Sequence, residues 1–152
     1  MLDLIQVKEG EVAVDNRKNF VELAQALNQS EGSYELPTWH YVAKGVYGRR
    51  CFMAAGSCVV SRIHKFEHIT VALTGSCVVV DADGNKVRVV APHVWVTEPG
   101  TQRALVMEED TEWLTVHAAE VKDPEDMKDI LTCVTHEEFE EFVAALPAPE
   151  DV

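Results

Sequence analysis

The feature of this chain that most constrains its fold is a long series of short β-type segments between Trp39 and Ala119. Each segment is rich in Val, Thr, Ile or aromatic residues, and turn sequences such as Asp83-Gly84-Asn85 and Pro99-Gly100 separate several of them. The predicted strands are 39–46, 49–54, 57–64, 67–74, 76–82, 86–91, 93–97, 102–108 and 112–119. Many short strands at close, regular spacing predict a mainly β protein, either a sandwich or a barrel.

Helical segments are predicted on both sides of this β region. The segment before it places apolar residues at the spacing of an amphipathic helix, with Asp15 or Asn16 as the cap: Phe20, Leu23, Ala24 and Leu27. After the strands, one helix is predicted behind an Asp123 cap and a second behind Thr135, which forms a capping box with Glu138. The helices are expected to pack on the β region rather than to form a domain of their own.

The length of 152 residues predicts a single domain. We divide it into an N-terminal helical segment at 1–36, a β region at 37–120 and C-terminal helices at 121–152. With 13 Lys plus Arg against 26 Asp plus Glu, the net charge of -13 argues against nucleic acid or a membrane as a partner. No apolar run approaches the roughly 20 residues that span a membrane, and no signal peptide is recognised, so a cytoplasmic location is predicted.

Sequence motifs exclude several familiar chemistries. The chain has no GxSxG, P-loop, GxGxxG or EF-hand pattern, which leaves serine hydrolases, nucleoside triphosphatases and Rossmann enzymes without a residue basis. The four cysteines show no CxxC spacing, so they indicate reduced, buried thiols rather than a zinc ribbon or a redox pair.

Three histidines in the β region are candidate metal ligands. His64 and His68 lie on either side of a predicted bend between strands, and His117 ends the last predicted strand. Strand alternation places His68 on the same face as Thr70, and His117 on the same face as Thr115. Imidazole is a ligand for Zn, Fe, Ni, Cu and Mn, and three ligands leave coordination positions open. The alternative is that these histidines only form hydrogen bonds in the fold.

Other side chains have weaker patterns, and each has a plain structural interpretation. Glu67 is a candidate general base or a solvated charge beside Lys65. Arg62 and Arg103 suit an anionic ligand, because guanidinium binds carboxylate in a bidentate manner, but surface ion pairs are the default in so acidic a chain. Trp113 is either part of the ligand site or part of the core.

The segment from Gly48 to Gly75, GRRCFMAAGSCVVSRIHKFEHITVALTG, resembles the first motif of the cupin superfamily. That motif has two histidines one residue apart and then a glutamate, and the three positions fall on Arg62, His64 and His68. The sequence PGTQR at 99–103 resembles the second motif, with Arg103 where the family has its last histidine. The order of motifs across 45–119 is similar to that of small single-domain cupins encoded by tailed bacteriophages.

This resemblance implies a jelly-roll barrel with an N-terminal helix and two C-terminal helices. In that topology the last strand runs antiparallel beside the strand that opens with His68. His64, His68 and His117 would then form a metal site for Zn, Fe, Mn or Ni. Cupins commonly form dimers, and strands near the N-terminus offer an edge for pairing, so a homodimer is expected.

Together with the three histidines and with Arg62 and Arg103, the barrel that the resemblance implies predicts a metal-binding cupin that binds or acts on a small, anionic molecule in the barrel cavity. Two alternatives stay open at this stage. One is a protein that sequesters a ligand or nucleotide, or regulates, without catalysis. The other is a metal-free structural module of a virion. Whether the chain is an enzyme is not decided by its sequence, because one fold hosts many functions.

Overall fold

A computed structural model describes residues 17–148 of the chain. The predicted N-terminal caps, Asp15 and Asn16, lie outside this range. Three α-helices and eleven strands lie within residues 17–148. The helices are α1 (Arg17–Gln29), α2 (Met127–Leu131), which follows a single 3₁₀ turn, and α3 (His136–Ala145). The strands are β1 (Thr38–Ala43), β2 (Val46–Met53), β3 (Cys58–Val60), β4 (Ile63–His64), β5 (His68–Thr74), β6 (Ser76–Asp81), β7 (Lys86–Val90), β8 (His93–Thr97), β9 (Arg103–Met107), β10 (Thr111–Ala118) and β11 (Thr132–Cys133).

Two antiparallel sheets hold most of the strands. The five-stranded sheet has the order β1-β2-β10-β5-β8, and the four-stranded sheet has the order β3-β9-β6-β7. The short strands β4 and β11 pair with each other. The mainly β architecture is therefore confirmed. A closed barrel is not confirmed, because the described strands form separate hydrogen-bonded sheets.

The main core lies between the two sheets. Its buried residues alternate along their strands and come from both sheets: Met53, Ala72 and Trp113 from one, and Cys77, Val79, Val89, Leu105 and Met107 from the other. Burying side chains of this size stabilises the fold by roughly 1.5 to 3 kcal/mol each. The period-two burial follows from strand geometry, because successive side chains point to opposite faces of a sheet.

The helices pack at the margins of this sandwich. Phe20 of α1 is 1% exposed and packs with Val80 and Ala104 of the four-stranded sheet. Met127 and Leu131 of α2 pack with Tyr47 of β2. None of the helices within the described part of the chain is long and apolar enough to cross a membrane.

Two strand boundaries differ from the predictions. The first two strands were predicted at 39–46 and 49–54, whereas the turn between them lies at Lys44 and Gly45, where Gly45 has a φ of +75°. A positive φ suits glycine because it has no Cβ. The strand predicted at 57–64 is two strands, because the chain leaves β9 and pairs with β11 instead.

The C-terminal predictions are confirmed in their caps but not in every apolar position. The side chain of Asp123 accepts a hydrogen bond from Glu125 N, and the side chain of Thr135 accepts one from Glu138 N. Ile130, predicted to lie on the apolar stripe, is 51% exposed. The pairing of β11 with β4 has no counterpart among the predicted strands.

Candidate functional site

The register of the five-stranded sheet stacks inward-facing side chains in layers. His117 on β10 is opposite Tyr47 on β2, and His68 on β5 is opposite Thr97 on β8. Because β10 and β5 are antiparallel and pair Val116 with Ile69, the side chains of His117 and His68 come next to each other. The predicted antiparallel neighbourhood of these two strands is therefore confirmed.

The layer of side chains next to the histidines is polar, and the layer after it is apolar. Arg49, Thr115 and Thr70 are aligned across β2, β10 and β5, one step from the histidines. A further step brings Trp113 opposite Ala72, within the main core. The site is thus a polar end of the space between the sheets, closed on one side by packed apolar residues.

His64, His68 and His117, which we call the histidine cluster, lie against each other. The ring centroids of His64 and His68 are 4.6 Å apart, and those of His68 and His117 are 4.4 Å apart. His68 is 5% exposed and His117 is 6% exposed. The three imidazoles predicted from the sequence to meet therefore do meet, although they are distant along the chain.

His64 reaches the cluster from outside the five-stranded sheet. It ends β4, where it pairs with Thr132 of β11. Its backbone N donates to the carbonyl oxygen of Thr101, and its own carbonyl accepts from Gly100 N at 2.7 Å. The backbone of His64 is therefore held on two sides by segments that come later in the chain.

Hydrogen bonds set the orientation of two of the rings. His68 Nδ1 is 3.0 Å from the carbonyl oxygen of Phe66, which requires Nδ1 to carry the proton and leaves Nε2 with a lone pair. His117 Nε2 is 2.9 Å from Thr115 Oγ1. The Nδ1 atoms of His64 and His117 are buried and have no hydrogen-bond partner in the described structure. Unpartnered buried nitrogens are costly, and they mark a place where a polar partner is wanted.

The electrostatic environment keeps the cluster neutral. Burial lowers the pKa of His64 to about 3, assisted by the neighbouring His68 and His117 and by two arginines. Burial and the proximity of His68 lower the pKa of His117 to about 4. The pKa of His68 is also lowered by burial. Neutral imidazoles at pH 7 have the lone pairs that a metal ion requires.

Two arginines add positive charge to the same region. Arg103 Nη1 donates to Thr97 Oγ1 at 3.1 Å, and Thr97 Oγ1 is 2.7 Å from Thr70 Oγ1. Burial lowers the pKa of Arg103, an effect that the charge of Asp81 opposes. Arg49 points inward between Tyr47 and Cys51, and among the described residues its guanidinium has no ion pair or hydrogen bond. Arg49 therefore has its donors free for a ligand.

Arg49 and Tyr47 are site residues that sequence reasoning missed. Tyr47 is 1% exposed, stacks on the ring of His117 at 5.9 Å, and places its hydroxyl 2.6 Å from His40 Nδ1. His40 Nε2 is in turn 3.6 Å from a carboxylate oxygen of Glu125. The signal in the sequence was Gly45: a turn placed there would have given Tyr47 and Arg49 the inward strand positions.

Three further predicted site residues lie in other surroundings. Arg62 is engaged by Asp129, with Nη1 and Oδ1 2.7 Å apart. Glu67 is exposed in the bend between β4 and β5. Trp113 is in the main core, with its ring edge to face with Trp95 at 5.0 Å. The structure brings Arg103 to the histidine cluster, while Arg62, Glu67 and Trp113 have these other contacts.

The cluster is not a preformed coordination sphere. Within residues 17–148, no three His, Cys, Asp or Glu side chains have their donor atoms arranged around one ion. The rings are adjacent, but His117 directs Nε2 to Thr115 rather than to the other two rings. The donor set nevertheless fits a transition metal, because it offers three neutral imidazoles and two unpartnered buried nitrogens.

No protein-family model matches the sequence, and no curated protein matches it either. Solved structures do match. DMSP lyase DddQ from Ruegeria pomeroyi is 11% identical with a TM-score of 0.52, over 62% of this chain and 53% of the lyase. A cupin superfamily protein from Desulfitobacterium hafniense is 16% identical with a TM-score of 0.49, over 64% of this chain and 88% of that one.

A mutant of salicylate 1,2-dioxygenase from Pseudoaminobacter salicylatoxidans, solved with gentisate, is 12% identical with a TM-score of 0.49. The match covers 66% of this chain and 31% of the dioxygenase. At such identities the likeness concerns the fold and not the activity. Of these three matches the DMSP lyase has a TM-score above 0.5, and it shows a likeness of fold.

Proposed function

We propose that this chain is a metal-binding cupin in which His64, His68 and His117 hold one divalent transition metal ion. The observation that carries the proposal is the contact of three neutral imidazoles from three different strands, with His68 and His117 buried and His64 half-buried. Burial of unpaired polar groups destabilises a protein, so a cluster of this kind is costly unless it serves a site. The candidate ions are Zn, Fe, Mn and Ni.

When bound, such an ion would supply a Lewis acid or a site for dioxygen. The chain itself contributes orientation and the exclusion of water. The Phe66 carbonyl fixes the tautomer of His68, and Tyr47 supports one side of the His117 ring. Groups that contact the ligating histidines without touching the metal set the ring orientation and raise metal affinity.

We further propose that the ligand is a small anion. Arg103 and Arg49 both lie close enough to the histidine cluster to depress the pKa of His64. Guanidinium groups bind carboxylate and phosphate with paired hydrogen bonds, and partial burial strengthens that attraction. In a chain with a net charge of -13, two arginines in the interior form a local site for negative charge.

A second candidate function is ligand binding without turnover. The observation that favours it is the exposure of Glu67, the one carboxylate predicted as a general base. An acid or base must lie within hydrogen-bond reach of the proton it transfers. We also propose that the chain is cytoplasmic, forms a homodimer and is similar to phage-encoded cupins. These three proposals hold whether the chain catalyses a reaction or only binds its ligand.

Metal content of the purified full-length chain tests the proposal. After incubation with Zn, Fe(II), Mn or Ni and removal of free ion, elemental analysis should give about one ion per chain. The variant His64→Ala/His68→Ala should lose the ion, while the control His93→Ala, which changes an exposed histidine on β8, should keep it. If the folded wild type retains no ion after incubation with any of the four metals, the proposal is contradicted and a structural module is favoured.

Thermal stabilisation by small anions tests the ligand class. We expect succinate, benzoate or inorganic phosphate at about 10 mM to raise the Tm of the metal-loaded chain, since a ligand that binds only the folded state stabilises it. Arg49→Gln and Arg103→Gln should each abolish the rise. Arg88→Gln is the control, because Arg88 is exposed and paired with Glu108. An equal rise in Tm for the wild type and all three variants would show that the anion binds at another place.

A further inference from the structure

The outer face of the five-stranded sheet is apolar where a solvated polar face is expected. Two rows of outward residues cross all five strands. One row is Trp39, Arg50, Leu114, Val71 and Val94, and the other is Tyr41, Gly48, Val116, Ile69 and Val96. The two rows contain one charged residue, Arg50. An antiparallel sheet that faces water normally alternates between apolar inward and polar outward residues, so this face is built for contact.

Side chains on this outer face are well exposed. Seven large apolar residues on it have exposed fractions between 38% and 60%: Trp39, Tyr41, Val46, Ile69, Leu73, Val94 and Val96. A groove of about 630 Å³ runs along β1, β2 and β10 within the face. Gly48 forms its floor, since a Cβ there would lie 3.4 Å from Tyr41 Cβ and 3.5 Å from Leu114 Cδ1.

No described helix covers the outer face. α1 contacts β3 and packs on the four-stranded sheet. α2 packs against Tyr47, whose side chain points to the interior. The described chain begins at Arg17, in the helix that lies on the other sheet.

We infer that the outer face is the interface with a second copy of this chain. At the ordinary surface of each residue type, the seven exposed residues present on the order of 600 Å², which is most of the roughly 800 Å² that each partner contributes to a standard interface. A two-fold axis through the face would bring the same two rows together from both copies.

The charges on the outer face allow a second copy of the chain to approach. Two molecules that each have a net charge of -13 repel each other over most orientations. The outer face adds little to that repulsion, because its charged residues are Arg50 and, at its margin, Glu112, which lies 3.8 Å from Arg50 Nε. Arg50 also lies over the Trp39 ring at 4.3 Å, which leaves a flat aromatic surface for packing. This inference deepens the homodimer of the proposed function by naming its surface, and it does not depend on the metal.

The test measures molecular mass in solution against protein concentration, by sedimentation equilibrium on the full-length chain. We expect a dimer at about 10 µM, and monomers for the variant Val94→Glu/Val96→Glu, with Kd raised at least about 100-fold because four carboxylates would be buried at the interface. Val94 and Val96 are 60% and 55% exposed, so the change does not disturb the core.

The matched control is Val87→Glu/Val90→Glu, on the edge strand of the other sheet. These valines are 58% and 54% exposed, and this variant should stay dimeric. Thermal melts of both variants establish that they fold. A wild type that is monomeric at about 100 µM, or an outer-face variant that stays dimeric, would overturn the inference. Metal content is measured on the same samples, so that failure of the dimer proposal can be told apart from failure of the metal-site proposal.

Discussion

At the scale of single residues, the three histidines and Arg103 could be predicted from the sequence, while Tyr47 and Arg49 were missed. His64, His68 and His117 were found by residue type and strand alternation, and the structure brings them together. Tyr47 was missed because the first turn was predicted about three residues late, at 47–48, and Arg49 was missed because it was then the first residue of the predicted strand 49–54 and was given no face. A shift of one residue along a strand moves a side chain to the opposite face.

The depressed pKa values of the histidines predict how stability depends on pH in the metal-free chain. Unfolded histidine binds a proton below pH of about 6.5, whereas His64 and His117 in the folded state do so only near pH 3 and pH 4. The unfolded chain therefore binds more protons in this window, and folding stability falls as the pH decreases. Between pH 7 and pH 5 each of the two groups should remove about 2 kcal/mol of folding stability, about 4 kcal/mol together.

Chemical denaturation of the chelator-treated chain at several pH values measures this effect. The variant His64→Gln/His117→Gln should lose most of the pH dependence between pH 7 and pH 5, because glutamine does not titrate. An unchanged slope in that variant would show that other groups are responsible.

At the scale of elements, strands were predictable and their partners were not. The alternation of apolar residues identified β5 to β10 within one or two residues. The break at Ser61 and Arg62 was not visible, since it arises where the chain exchanges β9 for β11 as its partner. This change of strand partner depends on contacts between distant parts of the chain, and it holds His64 in place.

The turn between β5 and β6 should be intolerant of a side chain. Gly75 has a φ of +83°, and a Cβ there would collide with the Asp110 carbonyl oxygen and approach Thr111 Oγ1 to 2.6 Å. We expect Gly75→Ala to destabilise the protein by about 3 kcal/mol, as backbone strain and a steric clash add.

Gly56→Ala is the matched control for that substitution. Its φ of +79° is similar, but no atom lies within 4 Å of the added Cβ. The expected cost is about 1 kcal/mol, from the left-handed conformation alone. Equal losses for the two variants, measured by denaturant unfolding, would contradict the packing at Gly75.

The short helix α2 should support the histidine cluster through Tyr47. Met127 is 1% exposed and packs with Tyr47, whereas Ile130 on the same helix is 51% exposed. Met127→Ala should cost about 2 to 4 kcal/mol by leaving a cavity, and Ile130→Ala should cost under about 0.5 kcal/mol, as surface changes do. Thermal or denaturant unfolding compares the two. A larger loss from Ile130→Ala would show that α2 packs with its other side inward.

At the scale of the whole molecule, the chain combines a strong negative net charge with two arginines near the histidine cluster. Thirteen excess negative charges disfavour contact with polyanions, and under the proposed function Arg49 and Arg103 attract a small anion. The first expectation comes from composition alone. The second depended on folding, because the two arginines are far apart in the sequence and come together only when the sheets do.

The central claim is that the histidine cluster is a metal site, and a crystal structure of the Zn-loaded chain tests it most directly. Data collected above the Zn absorption edge should show one strong anomalous peak in contact with nitrogens of His64, His68 and His117. An anomalous map with no peak there, or with its peak on His40, His93 or His136 instead, would contradict the claim.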